Sequence, residues 1–192
     1  MRSTTKSVAV TSCLLLALVL SGVAAGATQN ATPTKWVAVF CGSVVTWEHT
    51  VKTRVTKLER TLAIQKSGAT KLPAVRAQLG TFLVDIVRST RATRAKLKAV
   101  GAPDVKNGDK IQAGVLGAFS QLTKAFDDAR KSAQKLSIAS KQAFAKGATA
   151  LAATIQSSTN RIGAAFQALD KYSTKQLNDA AKKDKTCAKL GG

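Results

Sequence analysis

The sequence has little of what catalysis and metal binding require. Its 192 residues include one histidine, His49, and only 10 Asp and Glu against 30 Lys and Arg. On a helix the neighbouring Glu48 points about 100° away from His49, so the two side chains do not face each other. Asp127 and Asp128 adjoin but diverge in the same way. The composition therefore predicts that the protein is not an enzyme and has no metal site and no cofactor.

A phosphate-binding loop is also missing. The Walker A motif places four residues between two glycines and follows the second glycine with Lys and then Ser or Thr. Six residues separate Gly101 from Gly108, and Asp109 follows Gly108. This stretch predicts a turn between two helices.

Strand-like alternation is lacking, apart from brief ambiguity at residues 44–45 and 82–87. From Thr34 onward apolar residues recur every three or four positions, which is typical of helices with one buried face. The predicted inward positions are Trp36, Phe40, Val44, Trp47, Val51, Val55, Leu58 and Leu62, then Val75, Leu79, Leu83, Ile86, Leu97 and Val100, then Ile111, Val115, Phe119, Leu122, Phe126, Ala129, Ala133 and Leu136, then Phe144, Leu151, Ile155, Ile162, Phe166 and Leu169.

Four helices of this kind, each of about 30 residues and roughly 45 Å long, predict an all-α, antiparallel up-down four-helix bundle. Gly68 and Pro73, residues 101–104 and residues 136–140 separate the helices. A capping box at residues 173–176 predicts a short C-terminal fifth helix. The domain organisation is therefore a signal peptide at 1–27, a short polar and disordered leader at 28–34, and one helical-bundle domain at 35–190.

The signal peptide is predicted from three features of residues 1–27. Arg2 and Lys6 form a basic start, residues 8–20 an apolar segment, and residues 25–27 an A-x-A cleavage site. Cleavage follows Ala27 or, alternatively, Ala25. An uncleaved membrane anchor is the competing interpretation, but polar residues and glycine interrupt the run, and a span needs about 20 predominantly apolar residues.

A lipid anchor is not expected, because the sequence lacks a lipobox cysteine. Val23 stands after Leu20-Ser21-Gly22, where a lipobox has Cys, and Cys13 lies inside the apolar segment. Cleavage removes Cys13 and leaves Cys41 and Cys187 in an oxidising compartment, where an even count predicts a disulfide. A reactive or metal-binding thiol pair remains the alternative. In an up-down bundle the two cysteines lie at the same pole, and closing so long a loop contributes about 5 kcal/mol at most.

Several features together resemble a group of small secreted helical proteins of actinobacteria. They are Cys41 and Trp47 in the first helix, the Gly101-Ala102-Pro103 turn with Asn107-Gly108, the 166–172 stretch, and the end of the chain from Cys187 to Leu190. The resemblance implies an all-helical fold and an extracellular or envelope location, and it implies no activity. This chain differs from that group in being more basic and in lacking a lipobox.

Positive charge is the feature that points to a function. After cleavage the chain has 28 Lys and Arg and 10 Asp and Glu, which gives a formal charge of +18. This charge favours association with polyanions. The candidate residues are Arg88, Arg91, Arg94 and Lys98 on one flank of the second helix, and Lys171, Lys175, Lys182, Lys183, Lys185 and Lys189 near the C-terminus. For any single residue, a solvated surface position is the competing interpretation.

Export decides which partners are available. Chromosomal DNA is excluded by location, and most aromatic residues lie on the apolar stripes, whereas single-strand binding needs exposed rings. We therefore expect a secreted or envelope-associated protein without a lipid anchor, attracted to anionic wall polymers, acidic polysaccharides, lipid head groups or extracellular DNA. A protein-interaction module, or a bundle that binds a small ligand between its helices, remains the alternative.

Overall fold

The computed structural model describes residues 30–66, 71–172 and 174–190. Within these ranges the chain forms five α-helices, α1 (Pro33–Lys66), α2 (Leu72–Ala99), α3 (Gly108–Gln134), α4 (Lys141–Gln167) and α5 (Lys175–Lys183), and two 3₁₀ turns, Asp170–Tyr172 and Cys187–Leu190. No strand occurs in these ranges, so the all-α prediction is confirmed for them. The predicted signal peptide, with both of its candidate cleavage sites, lies outside the described residues.

Polar side chains cap two of these helices close to the predicted breaks. Ser140 Oγ accepts from Ala143 N at 3.1 Å and begins α4, as the weak break at 136–140 predicted. Thr174 Oγ1 accepts from Leu177 N at 3.3 Å and begins α5. The predicted capping box placed the cap one residue earlier, at Ser173, which lies outside the described residues.

Helix α3 lies between α2 and α4 and supplies much of the core. Its buried side chains are Ile111, Gln112, Val115, Ala118, Phe119, Leu122, Phe126, Ala129 and Ala133. The alanines among them allow close approach of the neighbouring helices, and Phe119, which is 1% exposed, fills the centre. The apolar periodicity of this segment therefore predicted its buried face correctly.

Consecutive long helices pack against each other, α1 on α2, α2 on α3 and α3 on α4. Between α1 and α4 the described residues form no extended interface; Phe40 and Phe166 make an edge-to-face contact with ring centroids 6.5 Å apart. Instead, α5 and the turn Cys187–Leu190 pack against α1. Towards the end of α1 its apolar face is less covered by the other helices, and Val55 is 36% exposed.

The segment before α1 is ordered against the turn between α2 and α3. Ala31 is 5% exposed; its N–H donates to the Ala102 carbonyl at 2.7 Å, and its carbonyl accepts from Asp104 N at 2.8 Å. Helix α1 then begins at Pro33. Residues 30–34 thus differ from the disordered leader expected there, because two backbone hydrogen bonds and the burial of Ala31 hold them.

The turn between α2 and α3 depends on backbone conformations that its sequence permits. Gly101 adopts a φ of 79°, which costs glycine little because it has no Cβ. Asn107 precedes α3 with a φ of 62°, a value that asparagine tolerates better than most residues. The prediction of a helix-joining turn is confirmed.

A buried glutamine joins the first three helices at this end of the molecule. The indole Nε1 of Trp36 donates to Gln112 Oε1 at 3.0 Å, and Gln112 Nε2 donates to the Leu97 carbonyl at 2.6 Å. A second indole, that of Trp47, donates to Thr90 Oγ1 at 3.0 Å. Buried polar groups are costly unless they are paired, so these contacts fix how far each helix is shifted along its neighbour.

The Gln112→Ala variant tests this link. The substitution leaves both the Trp36 indole N–H and the Leu97 carbonyl buried without their partner, so we expect the free energy of unfolding to fall by about 2–4 kcal/mol. Denaturant unfolding followed by circular dichroism measures the change. Gln121→Ala, an exposed position of the same helix, should stay within about 0.5 kcal/mol of wild type. Equal losses in the two variants would contradict a special role for Gln112.

Candidate functional site

The disulfide pole is the end of the molecule where α1 and α3 begin, α2 and α4 end, and α5 packs. Cys41 and Cys187, which lie 146 positions apart in sequence, form a disulfide. This confirms the pairing predicted from the cysteine count and the helix order. The bond connects α1 directly to the last described turn of the chain.

Asp184 positions Cys187 for this bond. Its Oδ1 accepts from Thr186 N at 2.7 Å and from Cys187 N at 3.3 Å. These backbone hydrogen bonds, the one from Thr186 first, lower the pKa of Asp184 below its ordinary value. The ionised carboxylate therefore stabilises the turn that carries Cys187.

A glycine on α3 seats the end of α4 at the same pole. A Cβ placed on Gly114 would collide with the Leu169 side chain. Since glycine has no Cβ, Leu169 can lie directly against α3, and the turn Asp170–Tyr172 follows along that helix. The close approach places Phe166 beside Phe119, with ring centroids 6.0 Å apart.

An open groove of about 400 Å³ runs between these elements. Most of its lining is apolar: Trp36, Val37, Phe40, Cys41, Ile111, Val115, Phe166, Leu169, Leu177 and Ala181. Trp36 and Phe40 are stacked in parallel with centroids 5.2 Å apart. The volume falls in the range of small-molecule pockets, roughly 300–1,000 Å³.

Three polar side chains complete the lining, those of Gln167, Asp170 and Asn178. Beyond Asp170 two lysines approach one aromatic ring: Lys171 Nζ is 5.0 Å and Lys110 Nζ is 5.7 Å from the centroid of Tyr172. Both distances fit cation–π attraction. Asp170 on the lining is thus followed in sequence by Lys171, one of two lysines gathered at the Tyr172 ring.

The predicted basic flank of α2 is divided by the fold. Arg94 turns towards α3, where its Nε donates to the Leu116 carbonyl at 3.3 Å. Arg88 is exposed and lies 3.6 Å from Asp85, which also pairs with Arg54 at 3.2 Å. Arg91 and Lys98 are exposed.

Most of the C-terminal lysines lie open to solvent at the disulfide pole. Lys171, Lys182, Lys183, Lys185 and Lys189 are exposed. Lys175 pairs with Asp179 of the same helix at 2.6 Å. Because α2 ends at this pole, Lys98 lies at the same end of the molecule as the C-terminal set.

The adjacent carboxylates of α3 are occupied by neighbouring cations. Asp127 accepts from Arg130 and Lys131 at 3.0 and 2.8 Å, and Asp128 pairs with Lys124 at 2.6 Å. The hydrogen bond from Lys131, then that from Arg130, lowers the pKa of Asp127, and the one from Lys124 lowers the pKa of Asp128. These two carboxylates therefore offset two of the three positive charges of Lys124, Arg130 and Lys131.

Between α1 and α2 lies a smaller cavity of about 150 Å³. Gln78 lines it, and its buried Oε1 atom has no hydrogen-bond partner among the described residues. The ion pair of Arg54 and Asp85 borders the same space. A buried acceptor that finds no partner lowers stability.

Two further observations concern the described residues. His49 is exposed, and no group of three or more His, Cys, Asp and Glu in the described ranges could hold a metal ion. Among the helices of those ranges, none is apolar over a length that would cross a membrane.

Sequence reasoning missed Lys110 and the groove. Lys110 and Lys171 are 61 positions apart in sequence. They approach the same Tyr172 ring only because α3 and the Asp170–Tyr172 turn pack together. The signal available in the sequence was the position of aromatic residues near helix ends, where partial exposure is expected: Trp36 and Phe40 near the start of α1, and Phe166 near the end of α4.

Comparison of the chain with protein-family models, curated proteins and solved structures found no match.

The Asp184→Ala variant tests the turn that carries Cys187. A lowered folded-state pKa means that the contribution of Asp184 is fully present above its ordinary pKa of 3.8 and is lost as pH falls through the lowered value. We expect the variant to be less stable than wild type at pH 7, with the difference shrinking below pH 4. Denaturant unfolding across that pH range measures it.

Asp104→Ala serves as the control, since Asp104 is exposed. A difference between wild type and Asp184→Ala that stays constant down to the lowest pH would contradict the assignment.

The Gln78→Met variant tests the buried acceptor. Removing an unpaired carbonyl oxygen while keeping the side-chain length should raise the free energy of unfolding by about 1 kcal/mol. The exposed Gln121→Met variant should change it by less than about 0.5 kcal/mol. Destabilisation by Gln78→Met in denaturant unfolding would show that the amide contributes a favourable contact.

Proposed function

We propose that this is a non-enzymatic exported protein that associates electrostatically with the cell envelope or another extracellular polyanion. The observation that carries the proposal is the imbalance of charge after residue 27, 28 Lys and Arg against 10 Asp and Glu. Carboxylates such as Asp85, Asp127, Asp128 and Asp179 pair with nearby cations, while many lysines remain exposed.

The concentration of lysines at the disulfide pole supports the same proposal. Lys182, Lys183, Lys185 and Lys189 lie on α5 and the turn that follows it, and these elements are fixed to α1 by the disulfide. Because these elements are fixed, the distances between their charged side chains change little when a polymer approaches. The attraction of many charges then adds up along the polymer.

The strength of this association depends on salt. Exposed charges farther apart than about 8 Å are largely screened at physiological ionic strength, and a single exposed ion pair contributes roughly 0–1 kcal/mol. Binding therefore requires several contacts at once. A linear polyanion provides them, whereas a small anion does not.

The proposed architecture is an up-down four-helix bundle whose side between α1 and α4 is completed at the disulfide pole by α5. The packing of consecutive helices, and of α5 on α1, supports this arrangement. Export and release from the membrane remain part of the proposal, since they rest on the predicted signal peptide and the absent lipobox.

Retention on a sulfated polysaccharide resin tests the charge contribution. A variant with Lys182, Lys183, Lys185 and Lys189 changed to Gln should elute at a clearly lower salt concentration than wild type. The matched control changes Lys52, Lys57, Lys135 and Lys146 to Gln, which removes the same net charge from dispersed exposed positions. The control should shift elution less.

Two outcomes would each count against one part of this proposal. Equal shifts in both variants would show that net charge alone matters and that the C-terminal lysines have no special role. Equal release of the protein from cells washed at low and at high salt would contradict envelope attachment.

A further inference from the structure

The groove at the disulfide pole is bounded by elements whose positions are fixed. Leu177 and Ala181 of α5 form one wall, and the disulfide and the packing on α1 hold this helix in place. Phe166 and Leu169 form the opposite wall, and Leu169 is seated on α3 at Gly114. A site formed in advance in this way loses little conformational entropy when a ligand binds.

The groove is lined by aromatic side chains that are only partly buried. Phe40 and Phe166 pack against the core and are half-buried. A larger side chain at Ala181 would fill the space, because this alanine lines the groove and is half-exposed. Apolar side chains gathered in a concave site with few polar groups are characteristic of a small-molecule pocket.

The size of the groove favours a small molecule over a protein segment. Its volume of about 400 Å³ lies near the lower end of ligand pockets, roughly 300–1,000 Å³. An amphipathic helix needs an apolar groove that accepts side chains at i, i+3, i+4 and i+7. The lining here comes from four separate helices around one short space.

The charges around the groove define the polar end of its ligand. Asp170 is the one charged side chain on the described lining, and it repels an anionic group. Lys171 follows Asp170 in sequence, and Lys110 approaches the same Tyr172 ring, so nearby positive charge offsets the attraction of the Asp170 carboxylate for a cationic group. A neutral group is not repelled by charge of either sign and can donate a hydrogen bond to the Asp170 carboxylate.

We propose that this groove binds a small, uncharged and mostly apolar molecule that carries a hydroxyl group at one end. The apolar part lies against Phe40, Phe166 and Ala181, and the hydroxyl donates to Asp170. This binding is independent of the attraction to polyanions, because it relies on apolar burial and one hydrogen bond.

Isothermal titration calorimetry with simple probes tests the ligand class. For 1-hexanol, 1-heptanol and 1-octanol we expect the Kd to fall by about fourfold with each added methylene, the value for full burial of one CH₂. Octanoate and octyltrimethylammonium should each bind at least tenfold more weakly than 1-octanol. Raising the salt from 50 to 500 mM should leave the Kd of 1-octanol within twofold.

Matched variants locate the binding. Ala181→Phe fills the groove and should weaken 1-octanol binding at least tenfold, whereas Ala92→Phe, an exposed position of α2, should leave it within twofold. If Ala181→Phe unfolds the protein, Ala181→Leu fills less of the groove and should still weaken binding severalfold. Asp170→Asn should reduce the preference for 1-octanol over octanoate.

Three results would overturn the proposal. They are a Kd that does not depend on chain length, undiminished binding in a folded Ala181→Phe variant, and octanoate binding that is tighter than that of 1-octanol. The polyanion proposal has a separate readout, because its signature is strong salt dependence on an anionic resin. Either proposal can therefore fail without the other.

Discussion

The link from Trp36 through Gln112 to Leu97 sets the position of everything at the disulfide pole. Apolar faces tolerate sliding of one helix along another, whereas a buried amide satisfies both of its partners at only one axial shift. Once that shift is fixed, Cys41 lies level with Cys187, and Ile111 and Trp36 line the same groove. The groove, the disulfide and the turn that holds Ala31 all form around this link.

The distribution of charge follows a different principle. Several carboxylates form ion pairs with cations three or four residues away on the same helix, as Asp127 and Asp179 do. Because the acids are few, this pairing leaves most of the lysines facing water. The ion pairs within helices therefore use only part of the positive charge, and the remaining lysines stay available for long-range attraction to polyanions.

The sequence allowed the helices, their breaks and the cysteine pairing to be predicted, because each depends on short-range periodicity or on a simple count. Long-range contacts were not predictable in the same way. Arg94 turns towards Leu116, Lys110 joins Lys171 at Tyr172, and Ala31 pairs with the turn between α2 and α3. To predict each of these contacts, one must know which helices are neighbours and how far each is shifted along the other. The groove depends in addition on what α5 leaves uncovered.

The disulfide also has a mechanical consequence. A pulling force applied on one side of Cys41 and on the other side of Cys187 passes through the covalent bond, so the residues between them, including most of the four long helices, carry none of the tension. Of the described residues, only 30–40 and 188–190 lie outside the bridge and are stretched, and Ala31 in the first of these segments is paired with the turn at Ala102. A force applied to the chain on the outer sides of the two cysteines therefore leaves the helical core intact.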